Sequence, residues 1–109
     1  MATLRRTLTR YRERSLWNLI SADVVMAARL LADVGKAEMA ARLIGARLAS
    51  GYASGLSEIL SLLVQRDLAA ALGDAYEPLV AQGRSWRPPE AATRAIDALS
   101  DVLDDDAAR

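Results

Sequence analysis

Residues 16–34, LWNLISADVVMAARLLADV, decide the fold class, because at about 100° per residue their apolar members gather on one side of a helix. Leu16, Ile20, Val24, Ala27, Leu30, Leu31 and Val34 form one broad face, with Asn18, Arg29 and Asp33 opposite. The pattern extends back through Leu4, Leu8 and Tyr11, so the first helix is expected to run from Leu4 to Val34. Gly35 is placed to end it, since glycine takes the left-handed conformation found just past a helix without a Cβ penalty.

A second amphipathic pattern covers Lys36 to Leu72. Leu48, Tyr52, Leu56, Ile59, Leu60 and Leu63 make its apolar side, and Arg47, Ser50, Ser54, Ser57, Glu58, Ser61 and Gln65 its polar side. Gly51 and Gly55 leave open a break around Ser50 to Gly55, because each costs roughly 1 kcal/mol against alanine in a helix. Gly73 has the position of a second stop. Asp74 and Glu77 have capping-box spacing for a short helix with Pro78 in its first turn, closed by Gly83. After a connector, Pro89 and Glu90 open a last helix with Ala92, Ala95, Ile96, Leu99, Val102 and Leu103 as its apolar side. The aspartates at its end oppose the helix dipole and are expected to fray.

These elements predict an all-α protein of one domain, residues 1–109: a long antiparallel hairpin over 4–72, short C-terminal helices over 74–104 and an acidic tail over 104–109. Two such helices would reach roughly 45–55 Å, too long for a compact monomer of this size. A helical bundle completed by homo-oligomerisation is therefore expected.

Composition narrows the chemistry. The chain is 52% hydrophobic, rich in Ala and Leu, and has no Phe, a mixture that favours helix over strand. It has neither cysteine nor histidine, which removes disulfides, thiolate nucleophiles, the commonest general base and the usual zinc ligands. No phosphate-cradling glycine loop, dinucleotide fingerprint or calcium loop is present. The expectation is a non-enzyme with no cofactor, no metal and no transmembrane segment, since Leu16 to Val34 carries Asn18, Asp23, Arg29 and Asp33. The Arg-rich opening superficially matches an organelle transit peptide but runs straight into the best helical pattern, so a cytoplasmic protein is expected. Near-exclusive use of Arg over Lys suggests a bacterial, high-GC origin.

Net charge is zero, yet Arg5, Arg6, Arg10, Arg12 and Arg14 crowd one end and Asp97, Asp101, Asp104, Asp105 and Asp106 the other. The arginines alternate with Leu4, Leu8 and Tyr11, giving a basic turn with Arg5, Arg6 and Arg10 as candidate surface contacts. They continue along no face beyond residue 14, which argues against nucleic acid as a partner. Asp23 falls within the apolar face and needs a partner. In a hairpin turning at Gly35, that partner is Arg47, and a buried Asp23–Arg47 pair would set helix register. Trp17 is expected against Gly51, Ala53 and Gly55, either as core or as an anchor for an apolar surface. Trp86, between Arg84 and Pro88, is the other aromatic contact candidate. The serines at 50, 54, 57 and 61 form a small-residue stripe, either solvated or available for close helix approach.

Leu16-Trp17-Asn18-Leu19-Ile20, then Val24 to Leu30, then Glu38 to Ile44 resemble the small phasin-like proteins of polyhydroxyalkanoate-producing bacteria. An early Trp, the Arg29-Leu30 pair and the Glu38/Arg42 element follow in the same order, over about residues 16–50. The resemblance implies a non-catalytic amphipathic coat protein on storage-polymer granules. The rival expectation is a cytosolic helical-bundle interaction or scaffold protein whose partner is another protein.

Overall fold

The computed structural model describes residues 2–14, 17–50 and 55–107, without the side chains of 17–22, 55–57 and 106–107. Every element in them is helical: α1 (Ala2–Glu13), α2 (Trp17–Asp33), α3 (Ala37–Ser50), α4 (Gly55–Leu72), a 3₁₀ turn (Gly73–Ala75), α5 (Tyr76–Arg84) and α6 (Pro88–Ala107).

The expected first helix is two helices. Continued in line, the turn carrying Leu4, Leu8 and Tyr11 would have nothing to cover it. Instead α1 packs along α6, Leu8 is fully buried, and Leu4 and Tyr11 lie against the core. Arg5 Nη1 donates to Ser100 Oγ at 3.4 Å and Arg12 Nη1 to Thr93 Oγ1 at 3.2 Å. Seven positions forward on α1 correspond to seven back on α6, so the two run antiparallel. This sets the basic end of the chain beside the acidic one, at the roughly 8–10 Å spacing of packed helices.

Gly35 ends α2 as expected, at φ +84°. Lys36 N–H donates to Leu31 O at 2.8 Å and Gly35 N–H to Ala32 O at 3.2 Å, the paired bonds of a Schellman stop. Gly73 ends α4 in the same left-handed region, at φ +56°. The capping box does not form: Ala75 precedes α5, and no side chain caps the helix start.

Gly83 does not close a helix. It lies inside α5, where a Cβ would collide with the carbonyl oxygen of Arg42, and a Cβ on Gly45 of α3 would collide with that of Val80. Arg42 and Gly45 are three apart on α3, Val80 and Gly83 three apart on α5, so each glycine receives the other helix's backbone one turn away. Only glycine permits that approach, and it explains two helix-interior glycines that propensity disfavours.

The core is built on small and aliphatic residues: Val24, Ala28, Leu31, Ala40, Leu43, Ile44, Val64, Leu68, Ala92, Ala95, Leu99 and Val102. The face foreseen for the last helix is the observed one, with Leu103 half-buried, although α6 continues through the aspartates to Ala107. The described residues span 35 × 32 × 24 Å with a radius of gyration of 12.8 Å. That matches the roughly 13 Å of a compact chain of this length and replaces the expected 45–55 Å hairpin.

Candidate functional site

Helix α4 is apolar on two faces, and the fold chooses between them. Periodicity favours Ile59, Leu60 and Leu63 inside with the serines out, yet Ser61, Val64 and Leu68 are buried instead. Ile59 is 57% exposed, Leu62 58% and Leu63 44%, with Leu60 half-buried. Ser61 is accommodated because its hydroxyl accepts a hydrogen bond from Gln65 Nε2 at 3.0 Å and its small side chain fits a tight contact. Ser50 Oγ donates to Arg47 O at 2.7 Å, while Ser54 lies outside the described residues and Ser57 outside the described side chains.

Two ion pairs fix this rotation. Arg47 of α3 reaches Glu58 at 2.7 Å, and Arg29 of α2 reaches Asp67 at 2.7 Å. Glu58 and Asp67 are nine residues apart, about 180° around a helix, so one tether holds each flank of α4. The line Ser61–Val64–Leu68 then faces inward, and Ile59, Leu62, Leu63, Arg66 and Ala70 face out. The Arg47–Glu58 contact also shows that α4 folds back: along one continuous helix these residues would stand about 16 Å apart.

The expected Asp23–Arg47 pair is absent. Arg47 is 5% exposed and takes Glu58, and its Nε is buried without a hydrogen-bond partner among the described residues. Asp23 is half-buried with no ion pair among the described residues, and burial pushes its carboxyl up from the usual aspartate range. Glu58 of α4 takes the guanidinium that the expectation assigned to Asp23. Asp67 behaves in the opposite way, its carboxyl held down by the guanidinium of Arg29 that donates to it.

The remaining contact candidates are dispersed. Trp86 is half-buried against the core, with the Arg94 guanidinium 5.1 Å from its ring centroid, so much of its surface is already covered. Trp17 opens α2, and its side chain lies outside those described, as do its expected neighbours at 51, 53 and 55. Arg5 is engaged with α6, while Arg6 and Arg10 are exposed on the outer side of α1. An open cleft of about 420 Å³ lies where α2 turns into α3, between Lys36, Glu38, Met39, Arg42 and Leu72. Its Arg42 donates to Gln82 at 2.9 Å. Among the described residues no group of three or more acidic side chains is placed to hold a metal ion, and no helix is long and apolar enough to cross a membrane.

The outer face of α4 is thus the surface feature that ordinary folding does not account for. Three large aliphatic side chains exposed together on one helix face are more than the scattered surface hydrophobics of an ordinary monomer. Met26 on α2 is also exposed, at 43%. In comparisons with known proteins, no family model matches the chain, and neither a curated protein nor a solved structure matches it.

Proposed function

We propose that the protein is a non-catalytic helical interaction protein, oligomeric and cytoplasmic, that works by covering apolar surface with the outer face of α4. The observation that carries this reading is the exposure of Ile59, Leu62 and Leu63 on a helix whose opposite face is already buried. The pairing of Gly45 and Gly83 against backbone and the buried Arg47 favour a tightly packed scaffold over one that opens to spread on a surface. A phasin-like coat on storage polymer is the second reading. It is favoured by the same aliphatic stripe, and it needs only α4 and its surroundings, not the interior, to meet the polymer.

Retention on octyl-agarose at sub-micromolar protein is the test. The native protein is expected to be retained and Leu62→Ser/Leu63→Ser to flow through with unchanged melting temperature; equal retention contradicts the assignment of the contact to α4. Sedimentation with polyhydroxybutyrate particles, beside a helical control of matched size and charge, separates the two readings. Saturable binding lost in the double variant supports the coat, and binding no greater than the control leaves a protein as the partner.

A further inference from the structure

We draw no further inference here: the strongest candidate, the exposed apolar face of α4 formed by Ile59, Leu62 and Leu63, is the contact face already proposed, and nothing in the structure shows what covers it.

Discussion

Glu58 and Asp67 stand on opposite flanks of α4, one bound to Arg47 and the other to Arg29, each at 2.7 Å. Two carboxylates half a helical turn apart, held by arginines from two different helices, decide which apolar line of α4 enters the core. The two tethers differ in kind. Arg47 is buried, so its counter-charge offsets a desolvation cost, whereas the Arg29–Asp67 pair is exposed on both sides and orients more than it stabilises.

Removing the inner tether is therefore expected to cost stability. Glu58→Gln should lower the unfolding free energy by about 1–3 kcal/mol, because it leaves a buried guanidinium without its counter-ion. Urea denaturation measures this, and the Arg47→Met/Glu58→Gln pair should recover most of the loss. A double variant no more stable than Glu58→Gln alone would show that Arg47 is not the group left stranded.

Glycine substitutions separate close packing from backbone conformation. Gly83→Ala and Gly45→Ala each drive a methyl into the backbone of the facing helix and should cost about 3 kcal/mol, the upper range of overpacking. Gly35→Ala meets nothing within 4 Å and should cost only the left-handed penalty, about 1 kcal/mol. Equal losses at Gly35 and Gly83, read from chemical denaturation, would contradict the close α3–α5 crossing.

Asp23 and Asp67 predict opposite pH effects. The folded pKa of Asp23 is raised, so its ionised form destabilises the fold above that value. Asp23→Asn should be more stable than the native protein at pH 7, with the gain shrinking as pH falls through the raised pKa and gone below the unfolded 3.8. The folded pKa of Asp67 is lowered, so its contribution is present above 3.8 and lost as pH falls through the folded value. Asp67→Asn should therefore be less stable than the native protein at pH 7, and the two should converge at the acid end. Melting temperatures across pH 2–7 measure both curves; curves of the same sign would contradict the two environments.

What the sequence made legible was what neighbouring residues decide. Gly35 and Gly73 mark helix ends because a left-handed residue closes the last turn locally, and the α6 face follows from its period because only one side of that helix is apolar. The reading failed where two faces were equally apolar. Nothing in the order of residues along α4 tells Ser61 from Leu63 as the inner one until Arg29 and Arg47 arrive from other helices. The break between α1 and α2 was hidden for the same reason: each side continues the helical period, and α6, which draws α1 back, lies at the far end of the chain. The Gly45–Gly83 crossing did leave a signal, a glycine in mid-helix, whose usual reason is close backbone approach.

The most direct test of which face of α4 is open is thiol labelling of Leu62→Cys and Val64→Cys, each in the cysteine-free chain, at protein low enough to keep it monomeric. The structure predicts that Cys at 62 reacts at close to the rate of a free thiol and that Cys at 64 is slowed at least about tenfold, as opening of the fold must precede reaction there. Fast labelling at 64 with protection at 62 would place the serine side of α4 outward and contradict the account of the candidate site.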